Sequence, residues 1–103
     1  MNRLERGTAL LARLDELAAC SEDPATLTRP FLTASHRRAA TAVRGWMQAA
    51  GMRAWVDAIG NVVGQYDAVR PDAPLLLLGS HIDTVRSAGK YDGNLGVIAA
   101  IDC

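Results

Sequence analysis

The chain has 103 residues, of which 50% are hydrophobic and 21% charged, a composition typical of a folded domain rather than a disordered one. Its 11 basic and 11 acidic residues cancel, so the net charge gives no reason to expect a nucleic acid or an anionic membrane as a partner. The charged start of the chain lacks the apolar run of a signal peptide, and no apolar run in the sequence is long enough to cross a membrane. We therefore expect a soluble, cytoplasmic protein.

Helical periodicity dominates the first half of the chain. Apolar residues recur at helical spacing between about residues 3 and 20 and predict a first helix. A second helix is predicted to begin at Thr33 or Ser35, either of which can cap it, and to end before Gly51. Its basic residues are interpreted as a solvated face: His36, Arg37, Arg38 and Arg44.

The second half of the chain has the pattern of strands. Residues 54–58 and 62–66 flank a Gly60-Asn61 turn and predict a hairpin. Residues 75–78 are four consecutive leucines, a run that predicts a central strand buried on both faces. Residues 95–102 predict the start of a further helix. The fold class is therefore α/β: two helices, a β-hairpin, a buried central strand and the start of a third helix.

Three polar residues follow the leucine run, where functional groups gather in open α/β sheets. His81 and Asp83 are two residues apart, so their side chains point to the same side of an extended backbone. A carboxylate there can accept one imidazole N–H and leave the other nitrogen for a metal ion. Asp92 follows a glycine-containing loop and could bind one metal ion or bridge two.

Each of these residues also has a structural interpretation, and spacing alone leaves both open. His81 could be an ordinary polar residue after a strand. Asp83 could accept backbone N–H groups in a turn. Asp92 could cap the N-terminus of the last helix.

Residues 79–85 (GSHIDTV) and 88–97 (AGKYDGNLGV) closely resemble the motifs of the M20-type dinuclear metallohydrolases. The resemblance is to the branch of allantoate amidohydrolases, N-carbamoyl-L-amino-acid hydrolases and β-ureidopropionases. It extends through residues 28–29, 45–52 and 57–64 and so covers most of the chain. It implies that residues 1–103 are the N-terminal portion of a single catalytic domain, without the lid domain that also forms the homodimer.

The resemblance also implies an activity and a set of site residues. The activity is metal-dependent hydrolysis of linear amide or ureido C–N bonds. The first choice is allantoate, converted to ureidoglycine or ureidoglycolate with ammonia and CO2, and the alternatives are N-carbamoyl-L-amino acids or β-ureidopropionate. His81 resembles a terminal ligand, Asp92 the carboxylate bridging two divalent ions (Mn, Zn or Co), and Asp83 the acid that orients His81. A cis peptide bond after Asp92 is expected as well.

The remaining groups of such a site are missing from this chain. The family uses a pair of adjacent glutamates after the motif, whereas the only glutamates here are Glu5, Glu16 and Glu22. His36 and His81 are the only histidines. We therefore expect the chain alone to be inactive, as part of a longer enzyme or a truncated product. A non-catalytic remnant or packing module is the alternative of another class.

Overall fold

The computed structural model describes all 103 residues, Met1–Cys103. It contains three helices and one two-stranded sheet, and no helix has the length and apolar character needed to cross a membrane. In chain order the elements are α1 (Arg3–Ala19), α2 (Ala34–Ala49), β1 (Arg53–Val56), β2 (Val62–Gln65) and α3 (Asn94–Asp102). The α/β class is confirmed, and the five elements lie close to their predicted positions.

Local side-chain chemistry explains where the first two helices begin and end. The Asn2 side chain accepts a hydrogen bond from the Glu5 backbone N–H, and the Glu5 carboxylate accepts one from the Asn2 N–H, both at 2.9 Å. This capping box satisfies two N–H groups that the first turn of α1 leaves free. The Thr33 hydroxyl caps α2 by accepting from the His36 N–H at 3.3 Å. Gly51, with φ of 91°, has the left-handed conformation predicted after α2.

The hydrophobic core lies between the three helices. Its six buried residues come in pairs from α1, α2 and α3: Leu14 and Leu17, Ala39 and Val43, Ile98 and Ile101. Helix α1 packs against α3, and both strands of the hairpin pack against α2. Trp46 and Met47 of α2 pack at the edge of this core. The core therefore holds the end of α1 beside the start of α3.

The hairpin forms as predicted, with Val56 opposite Val62 in an antiparallel register. The Asp57 carboxylate organises the connecting loop by accepting the N–H groups of Ile59 and Asn61 at 3.1 and 2.9 Å. It also accepts the side-chain amide of Asn61 at 2.9 Å. These hydrogen bonds, that of the Asn61 side chain above all, hold the pKa of Asp57 below its ordinary value.

The prediction of a buried central strand at residues 75–78 is wrong for this chain. The four leucine side chains are 84, 79, 85 and 52% exposed, and the segment makes no backbone hydrogen bond. Burial on both faces requires flanking strands and covering helices. Here β1 and β2 pair only with each other, so no strand flanks the leucines.

The interpretation of His36 as part of a solvated face is also wrong. Arg37, Arg38 and Arg44 are exposed, but His36 is only 6% exposed. Its Nδ1 accepts the Leu32 N–H at 3.3 Å, and its ring meets the Phe31 ring edge to face, with centroids 5.2 Å apart. One side of the first turn of α2, with Ser35 and His36, is thus buried beneath the preceding loop.

We expect Leu17→Ala to lower the free energy of unfolding by about 2–5 kcal/mol, because it leaves a cavity in the three-helix core. Leu17 is fully buried, whereas Leu11 in the same helix is 52% exposed. Urea unfolding followed by circular dichroism measures the difference. Leu11→Ala is the matched control and should change stability by less than about 1 kcal/mol. Equal effects of the two substitutions would contradict the core described above.

We expect stability to fall as the pH is lowered from about 7 to about 5. Burial lowers the pKa of His36 from its ordinary value of 6.5, and the nearby charge of Arg29 lowers it too, partly offset by Asp83. At these pH values the unfolded chain therefore binds more protons than the folded chain. The stabilisation is fully present above pH 6.5 and is lost as the pH falls toward the lowered pKa of His36 in the folded chain. His36→Gln should weaken this dependence, as measured by urea unfolding at each pH. An unchanged dependence in His36→Gln would contradict the assignment.

Candidate metal centre

The segment that carries His81 is held against the loop between α1 and α2. The Arg29 N–H donates to the Thr84 hydroxyl, and the Thr84 N–H donates to the Arg29 carbonyl, both at 2.8 Å. Further along, the Ala88 N–H donates to the Leu27 carbonyl at 2.8 Å in an isolated antiparallel bridge. These bonds fix the chain immediately after Asp83.

The Arg29 side chain lies beneath this segment and is completely buried. Its Nε donates to the Ile82 carbonyl at 2.8 Å, between the two predicted site residues. Its Nη1 donates to the carbonyls of Leu17 and Cys20 at 2.5 and 2.8 Å, at the end of α1. Its Nη2 donates to the Asn94 side-chain oxygen at 3.0 Å, at the first residue of α3. One guanidinium therefore joins three separate parts of the chain.

The charge of Arg29 is held without a salt bridge. None of the four ion pairs in the structure includes Arg29. Burial lowers the pKa of Arg29 from the ordinary value, and electrostatic interactions with the side chains of Cys20 and Asp83 partly offset this. The carbonyls that end α1 carry the partial negative charge of the helix dipole, which favours a cation there.

His81 and Asp83 are in contact, as their spacing predicted. The His81 Nδ1 lies 2.9 Å from the backbone carbonyl of Asp83 and 3.4 Å from its carboxylate. A carbonyl oxygen only accepts, so in the neutral ring Nδ1 carries the hydrogen and Nε2 keeps the lone pair. Both side chains are about half exposed, at 50 and 49%. The imidazole is therefore held in the tautomer that a metal ligand needs at Nε2.

The ring of His81 lies directly on Gly93, the N-cap of α3. A Cβ atom at Gly93 would overlap the imidazole, and the φ of 71° is one that side chains rarely adopt. The neighbouring Ser80 hydroxyl donates to the Gly93 carbonyl at 2.7 Å and lies against Gly96. The absence of a side chain at position 93 therefore lets His81 sit beside the residue that follows Asp92.

The peptide bond after Asp92 is trans, since the structure contains no cis peptide bond. The expectation of a cis bond is therefore wrong, and the chain instead turns through the positive φ of Gly93, which has no steric penalty for glycine. The cap of α3 is Gly93, without a side-chain hydrogen bond, so the interpretation of Asp92 as helix cap is also wrong. The Asp92 carboxylate is exposed and accepts no hydrogen bond within the chain.

A groove of about 1270 Å³ runs past His81 and Asp83. Its other walls include His36, the hairpin and the exposed leucines of residues 75–78, whereas Asp92 lies outside the lining. No three His, Cys, Asp or Glu side chains cluster closely enough to hold a metal ion. A catalytic zinc site takes about three protein ligands, so one imidazole and one carboxylate suit such a site only in part.

Arg29 and Asn94 are the residues of this region that sequence reasoning missed. Both are fully buried, which no apolar periodicity around them indicates. Both do lie within the stretches that resemble the metallohydrolases, at residues 28–29 and 88–97. A polar residue that lies in such a stretch but is not a predicted ligand could have been recognised as a candidate for a buried structural role.

We expect Gly93→Ala to displace the His81 ring, because the added methyl group would occupy its position. The strained φ should also lower the free energy of unfolding by about 1–2 kcal/mol. Nuclear Overhauser contacts between the ring protons and residue 93 measure the displacement. Gly89→Ala is the matched control, since a Cβ there meets nothing within 4 Å. An unmoved ring in Gly93→Ala would contradict the packing described.

Known proteins share both the sequence and the fold of this chain, although no protein-family model matches it. Allantoate deiminase 2 of Glycine max is 47% identical over 91 residues, which are 88% of this chain and 19% of that protein. N-carbamoyl-L-amino acid amidohydrolase of Geobacillus stearothermophilus is 40% identical over 98 residues, 94% of this chain and 24% of that protein. A hydantoinase/carbamoylase family amidase from Burkholderia ambifaria superposes with a TM-score of 0.84 at 34% identity, over 92% of this chain and 24% of that structure.

The matches cover nearly all of this chain but only about a fifth to a quarter of each relative. Identity of this extent together with a shared fold confirms the resemblance seen in the motifs. The chain belongs to the family of the allantoate deiminases and N-carbamoyl-L-amino acid amidohydrolases.

Proposed function

We propose that this chain supplies part of the dinuclear metal site of an amidohydrolase that cleaves linear amide or ureido C–N bonds. His81 and Asp92 serve as metal ligands, and Asp83 positions the His81 imidazole. The observation that carries the proposal is the hydrogen bond from His81 Nδ1 to the Asp83 carbonyl, which leaves Nε2 with its lone pair. The family membership supports the same roles.

The residues of the chain have distinct tasks in this proposal. Two divalent ions, of manganese, zinc or cobalt, would polarise the scissile carbonyl and favour ionisation of water near neutral pH. His81 keeps its proton on Nδ1, and the Asp83 carboxylate at 3.4 Å offsets positive charge that develops on the ring.

Allantoate is the substrate that we propose first. The support is the higher identity to the allantoate deiminase of soybean, 47% against 40% for the bacterial N-carbamoyl-L-amino acid amidohydrolase. The products would be ureidoglycine or ureidoglycolate with ammonia and CO2. N-carbamoyl-L-amino acids and β-ureidopropionate are the alternatives of the same class. The complete protein is proposed to be a cytoplasmic homodimer.

A non-catalytic packing module is the candidate of another class. Its supporting observation is that no three potential ligands cluster in the chain. The glutamates stand at positions 5, 16 and 22, before the motif, so a general base has to come from elsewhere. One copy of the chain alone is therefore expected to show no turnover under either hypothesis, and metal binding discriminates better.

We expect the chain alone to bind Zn²⁺ weakly, with a dissociation constant above about 1 µM, because two ligands form an open site. His81→Ala and Asp92→Asn should each weaken this binding further, as measured by isothermal titration calorimetry. Asp72→Asn, in an exposed loop, is the matched control and should leave binding unchanged. Micromolar or tighter binding that survives His81→Ala would contradict the ligand role.

A chimera tests the catalytic part of the proposal. Here the chain replaces the 91 matching residues of the soybean allantoate deiminase, and hydrolysis of allantoate should be retained. Asp83→Asn in the chimera removes the carboxylate charge beside His81 Nδ1 but keeps the backbone carbonyl, and should lower kcat/KM by about tenfold. His81→Ala should abolish turnover while circular dichroism shows an unchanged fold, and full activity of that variant would refute the proposal.

Substrate assays on the protein expressed from the complete gene identify its substrate. Turnover of N-carbamoyl-L-amino acids without turnover of allantoate would overturn the first choice. Failure to hydrolyse allantoate, N-carbamoyl-L-amino acids and β-ureidopropionate, with manganese, zinc or cobalt present, would favour the packing module.

A further inference from the structure

We propose that Arg29 is a positioning residue that holds the His81 segment and the Asp92 segment in register with each other. The inference rests on the proposed function, because it assigns Arg29 a role toward those two ligands. Arg29 itself touches neither ligand side chain. It acts through the Ile82 carbonyl on one side and the Asn94 side chain on the other.

The bonds on the His81 side enclose Asp83. The Arg29 side chain holds Ile82, the residue before Asp83, at 2.8 Å. The Arg29 main chain holds Thr84, the residue after Asp83, through two bonds of 2.8 Å. The Asp83 carbonyl that receives His81 Nδ1 therefore belongs to a peptide fixed at both ends.

The bond on the Asp92 side passes through Asn94. Its side-chain oxygen accepts from Arg29 at 3.0 Å, and its amide group donates to the Lys90 carbonyl at 3.4 Å. Asn94 is fully buried and thus spans the turn from Lys90 to α3, which contains Asp92 and Gly93. Loss of the Arg29 bond would release one side of this turn.

Filling space does not require a guanidinium at position 29. The side chain is completely buried, pairs with no carboxylate and pays the desolvation of its charge, whereas an apolar side chain of similar size would avoid this cost. What the guanidinium adds is direction: four N–H groups reach acceptors in three separate segments at once. A planar fork can do this, and the single ammonium of lysine cannot.

The first measurement concerns geometry in the metal-free chain. In the wild-type chain, ¹⁵N spectra at fixed pH should show one His81 tautomer, with the hydrogen on Nδ1, and Overhauser contacts between the ring and Gly93. Arg29→Lys keeps the charge but should give mixed tautomers and lose those contacts. Leu14→Ala is the matched control: it destabilises the core but removes none of the hydrogen bonds of Arg29, and should keep both signals.

The second measurement is the Zn²⁺ affinity of the same proteins. Arg29→Lys should raise the dissociation constant about tenfold or more, whereas Leu14→Ala should leave it unchanged in the folded protein. Asn94→Ala covers the case in which Arg29→Lys does not fold. It keeps the bonds of Arg29 to Ile82 and α1, and should lose the ring contacts with Gly93 and weaken Zn²⁺ binding.

Two outcomes would overturn the inference. In the first, Arg29→Lys, or Asn94→Ala where Arg29→Lys does not fold, retains the wild-type tautomer, ring contacts and Zn²⁺ affinity. In the second, Leu14→Ala loses them to the same degree, so that Arg29 would contribute only to general stability. Failure of the proposed function is distinguishable, because it would appear as equal Zn²⁺ binding by the wild-type chain and His81→Ala. The NMR comparison would then still decide the role of Arg29.

Discussion

The buried guanidinium of Arg29 connects parts of the chain that are far apart in sequence. Its acceptors lie at the end of α1, between the two site residues His81 and Asp83, and at the first residue of α3. A charge without a carboxylate partner is tolerated in the interior only if its N–H groups are satisfied. The end of α1 meets this requirement with two carbonyls that carry the negative end of the helix dipole. The placement of the whole candidate site depends on this arrangement.

The second constraint is the close approach of the His81 ring to Gly93. The imidazole occupies the space of a missing side chain, so the segment that carries His81 can lie directly on the first turn of α3. The helix cap at Gly93 also has a positive φ, which glycine adopts without penalty. Asp92, the residue before this cap, is exposed and does not cap the helix. The buried guanidinium and the contact of His81 with Gly93 thus position the side chains of the candidate site.

The exposed leucines of residues 75–78 mark the limit of what this chain builds by itself. Four consecutive apolar side chains are suited to an interior strand, yet the chain provides only a hairpin whose strands pair with each other. The same groove that these leucines line contains His81 and Asp83. The chain matches about a fifth to a quarter of its relatives, and the shared fold is therefore that of a segment.

Local patterns in the sequence determined the three helices, the hairpin, the cap at Gly51 and the pairing of His81 with Asp83, because each depends on neighbours within a few residues. Motif resemblance identified the family for the same reason, since its residues are contiguous. Only the tertiary structure decided that His36 and Arg29 are buried, that the leucine run is uncovered and that Gly93 receives the His81 ring. The burial of Arg29 depends on Ile82 and Asn94, which are 53 and 65 positions away, and the place of the His81 ring depends on Gly93 across an intervening loop. No local pattern encodes such contacts.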